Sequence, residues 1–219
     1  MASRAMIVVA AGSATRFGGE KLLADIGGKP LISHTIEAVS AVSDTVVVVA
    51  RSDLVQPFKD LGHDIIVTKG GQTRTDSELA GLAALGREYD LIGIHDGARP
   101  LVKASLMERL FEKADEVGGA APTLEPERLL VDSLSLRPIV NAVTVQTPQV
   151  FRGPGLLAAY VKAAQTAVVA HDSVEVVQRF GDLDIALVEG DRENIKVTFQ
   201  ADLEMVRSRL EAASHNEPQ

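Results

Sequence analysis

Short apolar runs alternate along the chain with longer stretches in which apolar residues recur at helical spacing. The runs Met6–Ala11, Thr45–Ala50, Asp64–Thr68, Leu91–His95, Gly119–Thr123 and Asp184–Glu189 predict strands. The stretches Pro30–Val42, Leu54–Leu61, Thr75–Gly86, Ser105–Val117, Gly155–Gln165, Asp172–Phe180 and Ala201–Ala213 predict amphipathic helices. Several strands are apolar without a break, which is the pattern of strands covered on both faces. Regular strand–helix alternation then predicts an α/β fold, a Rossmann-like, doubly wound, mostly parallel sheet flanked by helices. It reads as one domain over residues 1–213, followed by a flexible tail at 214–219.

The rhythm breaks between Leu124 and Val143, where apolar and polar residues mix without a helical period. This predicts an extended excursion, a protruding β-arm at about 125–142. Such an arm cannot bury its apolar side alone and tends to pack on a second subunit, so a homodimer is expected.

Composition narrows the classes. Aromatic residues make up only 4% of the chain against 46% hydrophobic, so the core must be Val, Ile, Leu and Ala. Lys and Arg number 22 against 30 Asp and Glu, a net charge of −8. That balance disfavours a nucleic-acid partner, which needs a basic face. Apolar runs are far shorter than the roughly 20 residues of a membrane span, so no membrane association is expected. With no cysteine there is neither disulfide nor thiolate chemistry, and a cytoplasmic location is expected.

Five stretches carry candidate chemistry. The first strand runs into Ala10, Ala11, Gly12, Ser13, Ala14 and Thr15, then Arg16 and Lys21. Small residues there let backbone N–H groups approach phosphate oxygens. Neither a G-x-G-x-x-G fingerprint nor a Walker loop is present, because Ala14 and Arg16 break the first and Leu22 follows Lys21. Two cations beside a small-residue turn suit a triphosphate whose α-phosphorus gains charge during attack. The second stretch, His95 to Pro100, ends a strand and offers Asp96 to a divalent metal or a ribose hydroxyl. The third, Gly70 to Ser77, opens a helix whose N-terminus favours anions. The last two are Gln146-Thr147-Pro148-Gln149 and Gly190 to Thr198, the latter carrying Lys196. Taken singly, Ser77 also reads as a helix cap, Thr147 as a turn residue and Lys196 as a surface amine.

In this order, the five stretches resemble the 2-C-methyl-D-erythritol 4-phosphate cytidylyltransferase family, nucleotidyltransferases of the non-mevalonate isoprenoid pathway. The resemblance covers residues 6 to 206. It implies transfer of a cytidylyl group from CTP to a small polyol phosphate with Mg²⁺ or another divalent cation. A related enzyme for another polyol phosphate, such as ribitol 5-phosphate, is the alternative. The resemblance implies catalytic roles for Arg16, Lys21 and Lys196. It implies CTP contacts from Ala10 to Thr15 and from Gly71, Arg74, Ser77, Asp96, Ala98 and Arg99. Asp96 would also lie at the metal, and Arg137, Thr147, His171, Asp172 and Lys196 would face the acceptor. The sequence departs from the family pattern in its first loop, where the usual Gly is Ala14 and the usual Pro-Lys-Gln is Glu20-Lys21-Leu22. It departs again at His171, where a Thr is usual, at Pro126, and at Ile139, where the arm usually carries an Arg. Arg137 is then the arm's remaining candidate cation. All departures after the first loop fall on the acceptor side.

Overall fold

The computed structural model describes residues 2–12, 16–126, 142–166 and 168–215. The chain opens with β1 (Arg4–Ala10), then a small hairpin of β2 (Asp25–Ile26) and β3 (Lys29–Pro30). There follow α1 (Leu31–Ser40), β4 (Thr45–Ala50), a 3-10 turn at Ser52–Leu54, α2 (Val55–Lys59), β5 (Ile66–Lys69), α3 (Arg74–Ala84), β6 (Leu91–Asp96), α4 (Ala104–Val117) and β7 (Gly118–Leu124). The second half holds β8 (Thr144–Val145), β9 (Gln149–Arg152), α5 (Gly153–Ala163), α6 (Ser173–Phe180), β10 (Asp184–Glu189) and α7 (Gln200–His215).

The main sheet runs β10-β7-β9-β6-β1-β4-β5, with β8 also on β7. β1 is an interior strand in parallel register with β4 and β6, so that Ile7 faces Val47 on one side and Ile94 on the other. Side chains of successive strand residues point to opposite faces, and both faces are covered. Met6 and Val8 pack with Ile32 and Ile36 of α1, Leu106 and Leu110 of α4, and Leu203 and Val206 of α7. Ala5 and Ile7 face the other way, toward Leu82 of α3, Tyr160 of α5 and Val176 of α6. Each large aliphatic side chain buried in these layers contributes about 1.5–3 kcal/mol relative to exposure. The doubly wound, mostly parallel sheet is therefore the architecture observed.

Besides the β2–β3 hairpin, which no predicted strand covers, two features differ from the sequence reading. Gln149–Arg152 forms a strand, β9, inserted antiparallel between β6 and β7. The sequence showed there only a polar motif around Pro148. The tail expected from residue 214 starts inside α7, which continues to His215; residues 216–219 lie outside the described residues. Of the expected arm, residues 127–141 also lie outside them, Arg137 and Ile139 included. The flanks are described. The chain leaves along β7 and returns along β8, Thr123 opposite Val145 and Leu124 opposite Thr144. Among the described residues no helix is long and apolar enough to cross a membrane.

Candidate active site

Beyond the carboxyl ends of β1, β5 and β6 lies a cavity of about 410 Å³, within the size range of small-ligand sites. Ala10, Ala11 and Gly12 form one side, and Gly71 to Arg74 with Ser77 form the opposite wall. Lys21, Asp96, Ala98 and Lys196 complete the floor and rim. Residues more than a hundred positions apart thus meet where the strands end, as expected for open α/β sheets.

The wall is fixed locally. Thr73 caps α3 by accepting the Asp76 amide at 3.1 Å, and the Asp76 carboxylate accepts the Thr73 amide at 3.0 Å. Such a reciprocal cap is worth on the order of 1 kcal/mol. Ser77 does not cap the helix. Its hydroxyl donates to the Thr73 carbonyl at 2.9 Å and accepts the Gly71 amide at 3.2 Å. Gly71 has no substitute here, because a Cβ would sit 2.2 Å from the Asp76 Cβ.

Asp96 is 5% exposed and is the electrostatic centre. Arg74 Nη1 donates to its Oδ1 at 2.9 Å, Arg99 Nε to its Oδ2 at 3.1 Å, and Lys196 Nζ lies 3.0 Å from Oδ2. Burial disfavours the Asp96 charge, but Arg74, Lys196 and Arg99 outweigh it and hold the carboxyl well below the usual carboxylate range. Lys21 Nζ donates to the Val197 carbonyl at 2.7 Å. Burial and then the Lys196 ammonium push the Lys21 amine below its ordinary pKa. Arg16 is exposed and does not line the cavity, although its charge also acts on Lys21.

Behind Asp96 lies a neutral layer. The Asp96 amide donates to Thr147 Oγ1 at 3.0 Å, and Thr147 Oγ1 lies 3.0 Å from His95 Nδ1. His95 Nε2 lies 3.2 Å from the Arg99 carbonyl, which can only accept. A neutral ring must therefore carry its proton on Nε2 and take the Thr147 hydroxyl proton at Nδ1. Burial pushes the His95 pKa down to about 4, so the ring is neutral near pH 7. Gln146 holds both backbone groups of Asp191, accepting its amide at 3.1 Å and donating to its carbonyl at 2.9 Å. Asn194 donates to the Thr147 carbonyl at 2.8 Å. The loop that delivers Lys196 is thereby stitched to the segment before β9.

The expected site residues that are described, apart from the exposed Arg16, fall into three groups. Ala10, Ala11, Gly12, Lys21, Gly71, Arg74, Ser77, Asp96, Ala98 and Lys196 line one cavity. Arg99 and Thr147 stand behind it, touching Asp96 rather than the open space. His171 and Asp172 lie at the start of α6, off the cavity wall. Asp172 caps that helix by accepting the Glu175 amide and also accepts from Gln149. Ser13, Ala14, Thr15 and Arg137 lie outside the described residues. The sequence reading passed over Glu78, Tyr160, Gln146 and Asn194 as individual residues, although all four are buried polar groups near the site. Only a polar residue on the inner face of a helix, as at Glu78, could have flagged the first.

Comparison with known proteins gives the family. Residues 4–212 match the family described as IspD, 2-C-methyl-D-erythritol 4-phosphate cytidylyltransferase. The chain belongs to this family. A 2-C-methyl-D-erythritol 4-phosphate cytidylyltransferase of Aquifex aeolicus is 32% identical over 205 residues, covering 92% of this chain and 94% of that protein. A bifunctional enzyme IspD/IspF of Rhizorhabdus wittichii is 36% identical over 222 residues, covering 95% of this chain but 56% of that protein. The chain thus spans little more than half the length of its bifunctional relatives. Among solved structures, the 4-diphosphocytidyl-2C-methyl-D-erythritol synthase of Anaerococcus prevotii shares the fold, with a TM-score of 0.83 at 24% identity over 96% of this chain and 99% of that one. The 2-C-methyl-D-erythritol 4-phosphate cytidylyltransferase of Thermus thermophilus gives 0.76 at 26% identity, over 96% and 100%.

Proposed function

We propose that the chain joins CTP and 2-C-methyl-D-erythritol 4-phosphate to give 4-diphosphocytidyl-2-C-methyl-D-erythritol and diphosphate. One observation carries the reading beyond family membership: Lys21 and Lys196 share a single cavity with the small-residue turn Ala10–Gly12 and the Gly71–Ser77 wall. The wall suits a base and ribose, and the lysines suit the phosphates between nucleotide and acceptor.

The reaction is an in-line displacement. An acceptor phosphate oxygen bonds to the α-phosphorus of CTP as the bond to the β-phosphate bridging oxygen breaks, and diphosphate leaves with that electron pair. A phosphate monoester is already anionic near neutral pH, so no general base is required. The nearest imidazole, His95, is buried and committed to Thr147 and Arg99. The work of the residues is to position the reactants and to stabilise charge growing on the phosphoryl oxygens, for which Lys21, Lys196 and Arg16 are the candidates. The donor set fits Mg²⁺ carried mainly by the triphosphate. Among the described residues Asp96 is the one carboxylate on the cavity wall, and no cluster of three metal-ligating side chains occurs. When bound, such an ion neutralises the leaving diphosphate.

A homodimer belongs to the same proposal. Val143 and Val145, at the root of the expected arm, are 40% and 37% exposed, which suits cover by a second copy. Arg137 is then assigned to the acceptor phosphate on the strength of the sequence. Diphosphate release measured with each of the four nucleoside triphosphates, against methylerythritol phosphate and ribitol 5-phosphate, tests the reaction. CTP with methylerythritol phosphate should be fastest, and preference for another pair would overturn the assignment. Sedimentation at micromolar protein tests the dimer. Arg137→Ala should raise the acceptor KM and leave that of CTP nearly unchanged.

A further inference from the structure

Glu78 lies on the inner face of α3, one turn beyond Arg74, and is 1% exposed. It does not line the cavity. Burial pushes the Glu78 carboxyl above the usual carboxylate range, and the Arg74 charge and the hydrogen bonds from Tyr160 and Arg74 work against that rise. A carboxylate this deep needs donors, and three helices supply them. Arg74 Nε donates to Oε1 at 2.8 Å, Tyr160 of α5 donates to Oε2 at 2.6 Å, and Ser173 of α6 donates to Oε1 at 3.4 Å. All three partners donate, which suits an acceptor-only group. From its other side Arg74 Nη1 reaches Asp96. The guanidinium therefore spans two carboxylates, one from α3 and one from the end of β6. Its Nη2 is buried without a hydrogen-bond partner among the described residues. Loss of either carboxylate would leave a partly buried cation held on one side only.

We propose that Glu78 is a positioning residue for the nucleotide: it clamps the Arg74 guanidinium against Asp96 and so fixes the cavity wall on which the nucleoside rests. The inference builds on the nucleotidyl-transfer reading above. Glu78 acts through Arg74 and touches no reacting atom. Without its charge, Arg74 has no counter-ion on α3 and competes with Lys196 and Arg99 for Asp96, so the wall and the floor of the cavity loosen together. Tyr160 and Ser173 extend the clamp to α5 and α6, so the helix carrying Asp172 at its cap is tied to the same carboxylate.

Glu78→Gln keeps the shape and removes the charge. Losing a charge-assisted hydrogen bond should weaken CTP binding, read by calorimetry with Mg²⁺ present, by about 10-fold. In the full reaction the CTP KM should rise by a similar factor and the acceptor KM far less, a split that general loosening of the fold would not give. The Arg74 Nε–H resonance, identified by its loss in Arg74→Lys, should exchange with water faster in Glu78→Gln than in the wild type. An unchanged resonance overturns the clamp, and a changed resonance with unchanged CTP affinity overturns its role at the nucleotide. Should Glu78→Gln fail to fold, Tyr160→Phe removes only one donor and should weaken CTP by about 3-fold; unchanged affinity there overturns the inference equally. If the wild type binds none of the four nucleoside triphosphates, the nucleotidyl-transfer reading and the nucleotide role fall together, while the resonance still decides whether Glu78 holds Arg74.

Discussion

Two polar layers lie back to back at the end of β6. Toward the cavity, Asp96 meets Arg74, Arg99 and Lys196, with Lys21 close by. Behind it, His95, Thr147, Gln146 and Asn194 are neutral and bind one another's backbone or the loops around them. The front layer has more positive than negative groups, a surplus that a polyphosphate would balance. The back layer is almost closed on itself; Asn194 Oδ1 is its one buried atom without a partner among the described residues. Charge that acts on a ligand is thus held in place by polar groups that carry none. The front layer should fail chiefly in turnover, and the back layer chiefly in stability and geometry.

Asp96 belongs to both layers, so its loss should be the largest effect. Asp96→Asn leaves three cations without their shared counter-ion and should cost about 3–5 kcal/mol, as breaking buried ion pairs does. Urea denaturation measures it. If Asp96 also helps to place Mg²⁺, the surviving activity should need more magnesium for half-maximal rate. A loss near 1 kcal/mol would show that the three cations lean on Asp96 less than the geometry implies.

The front layer alone is tested by Lys21→Ala, Lys196→Ala and Arg16→Ala. Each should lower kcat by roughly 10²-fold or more, the usual penalty for removing a preorganised charge stabiliser. Melting temperature should change little in Lys196→Ala and Arg16→Ala, because the Lys196 side chain is 38% exposed and Arg16 lies at the surface. Normal turnover in a purified variant would remove that residue from the reaction.

The back layer is tested by pH. His95 has a pKa of about 4 in the fold against an ordinary 6.5. Between those values the unfolded chain binds more protons than the folded one. The contribution is therefore complete above 6.5 and is lost as pH falls toward 4. From pH 7 to pH 5 this group alone should remove about 2 kcal/mol. Parallel urea titrations of the wild type and His95→Gln isolate it, since titrations common to both cancel. Equal pH slopes would show that His95 is not held neutral.

Thr147→Val probes the same layer without a change of charge: it keeps the shape and leaves the Asp96 amide and His95 Nδ1 unpaired. A loss of about 1–3 kcal/mol is expected, with kcat reduced less than in the lysine variants. A larger loss of kcat than of stability would place the Thr147 hydroxyl at the substrate.

The fold was legible where a local pattern sufficed. The apolar runs of β1, β4 and β6 read directly because burial on both faces leaves no polar position between them. β9 was not legible. It has four residues, begins and ends with polar Gln149 and Arg152, and follows Pro148, so no periodicity marks it. The β2–β3 hairpin was missed although Gly27-Gly28, with φ of 63° and 87°, carries the usual signal for a two-residue turn. The motif residues around the cavity could be named from spacing and resemblance. The clamp on Arg74 could not, because Tyr160 and Ser173 lie 82 and 95 residues from Glu78 and acquire meaning only when three helices converge.

The bond from Lys21 to the Val197 carbonyl joins groups 176 residues apart. During synthesis on the ribosome, β1 and its small-residue turn emerge well before the carbonyl that holds Lys21 and before Lys196 beside it. α7 then supplies Leu203 and Val206 to one face of the sheet. A growing chain can therefore assemble its central strands long before it possesses the cation pair. Nascent chains stalled before Val197 should present the small-residue turn without the carbonyl that holds Lys21, so the two lysines come together only after that later segment has been made.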